Sequence, residues 1–142
     1  MRQNLCKSFL LESLEGIHDF RVDQMKLALY TSDADLDPET VTAYTATDEV
    51  SGSGYTAGGF DLAVASGYPK LSDTAYKALV DFDDVAETCS GFTMRRGIIY
   101  NSDKSNRAVA VVDFGVDYVV TSSLGIQWPP PSDSQCLIRL GA

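Results

Sequence analysis

The chain has a single histidine, His18, and it stands beside Asp19. A histidine next to a carboxylate can act as a general base, but turnover also needs a nucleophile and a group that steadies developing negative charge. Neither is marked, since there is no GxSxG elbow and a histidine at a helix end commonly satisfies terminal carbonyls. Asp33, Asp35 and Asp37 alternate as carboxylates do at the start of a calcium loop. The rest of that pattern fails, because Pro38 replaces the turn glycine and Tyr44 replaces the closing glutamate. A solvated acidic loop is the expectation, with a weak cation site of another kind as the alternative.

Gly52-Ser53-Gly54 and Gly58-Gly59 are dense enough in glycine to suggest a phosphate cradle, yet no lysine follows Gly58. The relaxed dinucleotide pattern Gly52-x-Gly54-x-x-Ala57 also lacks the strand-helix-strand unit it needs. Asp81, Asp83 and Asp84 contain a carboxylate pair of the sort used in glycoside hydrolysis, a chemistry that demands a fixed separation across a cleft. Solvated charges at a strand end are the simpler reading. Cys6, Cys89 and Cys136 are odd in number and far apart, without a CxxC or Cys/His grouping, which predicts three reduced thiols, at least two packed as small apolar groups. These residues together predict no catalytic site, no cofactor and no metal centre.

The elements around these residues read as mainly β. Leu5, Phe9 and Leu14, with Leu10 and Leu11 beside them, predict a short amphipathic helix over roughly 3 to 15, stopped by Gly16. It would cover one end of a sheet or serve as an arm, so residues 1–16 are assigned as an N-terminal helix or arm and 17–142 as a single β domain. Met25, Leu27 and Leu29 place a strand at 24 to 30, and further strand signals fall at about 60 to 65, 75 to 83, 92 to 100, 107 to 114, 118 to 127 and 135 to 140. The turn-rich Asn101 to Asn106 between two of them predicts an antiparallel hairpin. Its second strand is apolar on both faces and belongs in the middle of a sheet. Trp128-Pro129-Pro130-Pro131 ends a strand by withholding amide donors. The expected architecture is an antiparallel β-sandwich or barrel-like fold, with a jelly-roll-like form possible, and one short N-terminal helix.

The formal charge is -9, with the acidic residues spread along the chain. That charge opposes nucleic-acid binding, because Arg95, Arg96, Lys104 and Arg107 are too few to make a basic stripe. No apolar run is long enough for a membrane span or a signal-peptide core, so no membrane association is expected and synthesis and retention in a reducing cytoplasm are.

Two stretches carry a resemblance. Leu14-Glu15-Gly16-Ile17-His18-Asp19-Phe20 is followed by Met25-Lys26-Leu27-Ala28-Leu29-Tyr30-Thr31-Ser32, and Thr42-Ala43-Tyr44-Thr45 by Glu49-Val50-Ser51-Gly52-Ser53-Gly54-Tyr55-Thr56-Ala57-Gly58-Gly59. Together they resemble a family of small structural proteins of tailed phages with a "GxHDF...KxALYTS" opening and an "EVSGxGYTAGG" continuation. Gly97 to Ser102 and Asn106 to Gly115 fit the closing half, so the similarity runs from about residue 5 to 140.

The resemblance implies a virion component made in the host bacterial cytoplasm. It would be a capsid cement or decoration subunit clamping the major capsid protein, or alternatively a head-tail connector or tail component. A host-surface binding module is the alternative of another class. The implied partners are other virion proteins and copies of the chain itself, as a dimer or trimer. Candidate assembly contacts are Leu5, Phe9 and Leu10 in the N-terminal segment, Tyr55 as an exposed aromatic in the glycine tract, and Trp128 before the prolines.

Overall fold

Met25–Tyr30 has almost every side chain buried, which marks a strand covered on both faces. In the computed structural model, which describes residues 1–132 and 135–141, it lies inside a five-stranded antiparallel sheet. In chain order the elements are β1 (Arg2–Leu5), α1 (Lys7–Leu14), β2 (Met25–Tyr30), β3 (Phe60–Leu62), β4 (Lys70–Leu71), β5 (Lys77–Val80), β6 (Val85–Glu87), β7 (Phe92–Asn101), β8 (Arg107–Val120), β9 (Leu124–Ile126) and β10 (Ile138–Gly141). The main sheet runs β1-β8-β7-β2-β3, and a three-stranded β10-β5-β4 sheet and a two-stranded β6-β9 sheet accompany it. The fold is mainly β and sandwich-like, with one short helix near the N-terminus.

The expected hairpin is present as β7 and β8, registered from Phe92 against Val120 to Asn101 against Arg107. Its turn ends on Ser105 and Asn106 with φ of 55° and 57°, left-handed geometry that asparagine tolerates better than most residues. β8 is interior, flanked by β1 and β7, as its two apolar faces require. Ala108, Val109, Ala110 and Val112 meet Leu27, Leu29, Ile98 and Ile99 in the same buried core.

The helix expected over 3 to 15 is instead a strand followed by a helix. Arg2–Leu5 pairs with Asp113 to Ala110, because β8 needs a partner along its outer edge and the alternating N-terminal residues supply one. Only Lys7–Leu14 is helical. The N-terminal segment is built into the domain, since Cys6 and Phe9 both belong to the core. The strands expected at 107 to 114 and 118 to 127 are also divided differently: β8 continues to Val120, a turn follows, and β9 is short.

Within β8, four residues from Phe114 to Asp117 stand opposite the single residue Arg95, a wide bulge. Gly115 turns it with φ of +89°, and Arg95 reaches Asp113 at one end and Asp117 at the other. Among the described residues no helix is long and apolar enough to cross a membrane.

Candidate assembly surface

His18 is held in a largely buried polar cluster and also lines an apolar cavity of about 220 Å³ with Phe9, Phe20 and Val80. Its Nε2 lies 2.6 Å from a Glu12 carboxylate oxygen, and the Asn101 side-chain amide donates to Nδ1 at 3.1 Å. That donor fixes Nδ1 as the acceptor and Nε2–H as the donor. Arg107 donates to the other Glu12 oxygen at 3.1 Å, and Asn101 donates to Asp23 at 2.8 Å. The cluster ties α1 to the β7-β8 turn. The neighbouring Asp19 is occupied elsewhere: hydrogen bonds from Arg21 hold its carboxyl down at about 2. The histidine's partner is therefore a buried carboxylate rather than the helix-terminal carbonyls expected from its position.

The glycine tract is pinned to the sheet rather than free to cradle an anion. Glu49 accepts hydrogen bonds from the Tyr44 and Tyr55 hydroxyls, both at 2.7 Å, and from the Gly58 amide at 2.8 Å. The Tyr55 hydroxyl also accepts from the Leu29 amide at 2.9 Å, filling a gap in the β2 ladder between Phe60 and Val50. Tyr100 donates to the Gly58 carbonyl and Tyr30 to the Thr45 carbonyl, both at 2.6 Å. Burial first, and the Glu49 charge after it, push the phenols of Tyr44 and Tyr100 up to about 12. At Gly59, where φ is +83°, an added Cβ would lie 1.8 Å from the Leu27 carbonyl oxygen. Only glycine lets this tract lie flat on β2.

Several of the other candidates are held by the fold, whereas the Asp81 Oδ1 oxygen is buried without a hydrogen-bond partner among the described residues. Among the described residues no group of three or more His, Cys, Asp or Glu side chains is placed to hold a metal ion. Asp35 and Asp37 line a mixed-charge crevice with Arg2, Arg96 and Asp113, and Arg96 donates to the Ala34 carbonyl. The Asp83 carbonyl and the Asp84 carboxylate receive the indole N–H and backbone N–H of Trp128 at 3.0 and 3.1 Å. The three cysteines are buried apart from one another, and burial pushes the Cys6 thiol up to about 12.

The five candidate assembly contacts divide. Phe9, Tyr55 and Trp128 are core residues, so the expectation of an exposed Tyr55 is corrected: its ring packs edge-on against Phe60 and beside Phe92. Leu5 is half-buried against the core. Leu10 alone is open.

Leu10 belongs to an exposed face of α1 that also carries Leu14, which was expected on the same face as Phe9. α1 buries Phe9 and Glu12, while Leu10, Leu11 and Leu14 are 47%, 62% and 89% exposed. An ordinary amphipathic helix would hide the leucines and wet the glutamate. Here Glu12 is drawn inward by His18 and Arg107, and the leucines turn outward as a result. Arg107 stands 95 residues away in the chain, so helical spacing alone could not reveal it.

A second apolar surface escaped the sequence reading. Val116, Tyr118 and Val119 are exposed on and beside the β8 bulge. Next to them a groove of about 220 Å³ is lined by Met94, Phe114, Tyr118, Leu124 and Ile126, among others. Gly115 inside an apolar strand was the available signal. Single exposed apolar residues are ordinary, whereas leucines grouped on one helix make a candidate contact surface.

No protein-family model, curated protein or solved structure matches the chain.

Proposed function

We propose that this chain is a non-enzymatic structural subunit of a tailed-phage virion, a capsid cement or decoration protein that stabilises the head by binding across coat-protein seams. The observation that carries the reading is the outward leucine face of α1, held there by the contacts of buried Glu12 with His18 and Arg107. Three exposed leucines on a helix whose glutamate points inward bring no benefit to an isolated subunit. Covered by another protein, they supply apolar burial worth about 25 cal/mol per Å².

The stretches shared with small tailed-phage proteins support the virion setting. Much of what they share serves the fold: His18 anchors α1, and Glu49, Tyr55 and Gly59 fasten the glycine tract to β2. A rigid scaffold with an apolar docking face suits a subunit repeated many times on a shell, where modest contacts become persistent through multivalency.

The test is to express the chain with Leu10, Leu11 and Leu14 all changed to Gln and measure its copies in purified particles. The subunit is expected to fold and to be depleted from particles, while the wild-type chain is present in stoichiometric amounts. Particles that never contain the wild-type chain contradict the reading.

A further inference from the structure

The exposed face of α1 is self-complementary. Lys7, Leu11 and Glu15 follow one another at intervals of four residues and so lie along one ridge of the helix, with Leu10 and Leu14 beside it. Lys7 opens the helix and Glu15 caps its C-terminal end, about 12 Å apart along the axis at 1.5 Å per residue. Both are exposed, and neither makes an ion pair among the described residues.

Their signs are wrong for an isolated helix. The positive end of the helix dipole lies at the N-terminus and favours acids, and the negative end favours bases. α1 has no acid in its first turn and no base in its last. A second helix laid antiparallel would correct both ends at once, setting a carboxylate beside Lys7 and an ammonium beside Glu15.

We propose that two copies of this chain pair through α1, antiparallel across a two-fold axis that passes near Leu11. Leu10, Leu11 and Leu14 form the apolar centre, and Lys7 meets the partner's Glu15 at each end. A two-fold contact uses the same patch on both subunits, which a ridge reading cation, leucine, anion satisfies. The inference rests on reading the chain as an assembly subunit and specifies one of its partners. The leucine face covers less than the ~800 Å² per partner of a standard interface, so pairing is weak between free subunits and is reinforced where many copies share one particle. Two chains each carrying -9 also repel, which makes pairing weakest at low salt.

Sedimentation equilibrium of the full chain over a wide concentration range tests it, with Lys7→Glu, Glu15→Lys and the double exchange. Each single change sets like charges across the axis and is expected to weaken dimerisation about tenfold or more, while the double change restores it. Leu11→Cys is expected to form a disulfide-linked dimer under mild oxidation, because a residue near the axis meets its own copy and the native cysteines are buried. A wild-type chain that stays monomeric with no Leu11→Cys cross-link overturns the pairing, as does a double exchange no stronger than the singles. If the triple-Gln chain is lost from particles while the wild type stays monomeric, the pairing is wrong and the assembly reading stands. A dimer that obeys the charge exchange but is absent from particles supports the pairing and sinks the virion reading.

Discussion

Glu49 gathers more of this fold than any catalytic candidate does. Its carboxylate accepts two phenolic hydroxyls and a backbone amide, so its removal leaves three donors without an acceptor. Glu49→Ala is therefore expected to lower stability by about 3 kcal/mol in urea unfolding, since each stranded donor costs on the order of 1 kcal/mol or more. An unchanged midpoint contradicts the clamp. The tyrosines around it carry a second expectation. Tyr30, Tyr44, Tyr55 and Tyr100 are all raised, burial first. In the unfolded chain phenols ionise near pH 10, while Tyr44 and Tyr100 in the folded chain hold their protons up to about 12. The unfolded state then binds fewer protons, so the stability these groups contribute is whole below about pH 10 and is lost as pH rises towards 12. Urea midpoints from about pH 9 to about pH 11 should fall steeply, and a flat profile contradicts the assignment. The density of glycine between 52 and 59 was legible in the sequence as turns and close approach. Glu49 was not, because a carboxylate at a strand edge is usually solvated and its donors come from three separate positions.

The secondary elements divide into those whose pattern is local and those whose pattern is set by a distant partner. The β7-β8 hairpin is local: a turn-rich connection between two apolar runs specifies it, and its interior place follows from apolar residues on both faces of β8. β1 and α1 are of the other kind. A short segment with apolar residues at helical spacing became part strand because β8 had an edge to cover, and its helix rotated because Glu12 had Arg107 and His18 to meet. Strand β3 depends on a close approach that two glycine variants can separate from simple backbone strain. Gly59→Ala places a methyl group against the Leu27 carbonyl and is expected to cost about 3 kcal/mol or more, or to block folding. Gly16→Ala, at φ of +71° with nothing within 4 Å, is expected to cost only about 1 kcal/mol. Equal costs in thermal melts would remove the close-packing explanation. The outward leucines of α1 predict the opposite kind of behaviour: replacing all three by Gln should leave unfolding within about 1 kcal/mol of the wild type. A large loss would mean that the leucines serve the subunit's own core.

The molecule as a whole is an acidic, mainly β chain with a buried polar tie at α1 and with exposed apolar residues grouped on α1 and on the β8 bulge, besides separate ones such as Val22, Leu71 and Tyr76. The sandwich-like class and its single short helix were readable from strand spacing and the absence of a strand-helix rhythm. Of the candidate assembly contacts Leu10 is exposed, but Phe9, Tyr55 and Trp128 are drawn into the core by long-range packing that local apolarity cannot report. A virion subunit with a docking helix should appear as a repeated, ordered density on the particle, with α1 against a neighbouring protein and the bulge free to meet another. On the proposed role, a reconstruction of purified phage particles assembled with this chain measures this directly. Copies at regular sites, each with Leu10, Leu11 and Leu14 covered, are expected; particles complete without the chain, or carrying it with those leucines open to solvent, contradict the proposed role.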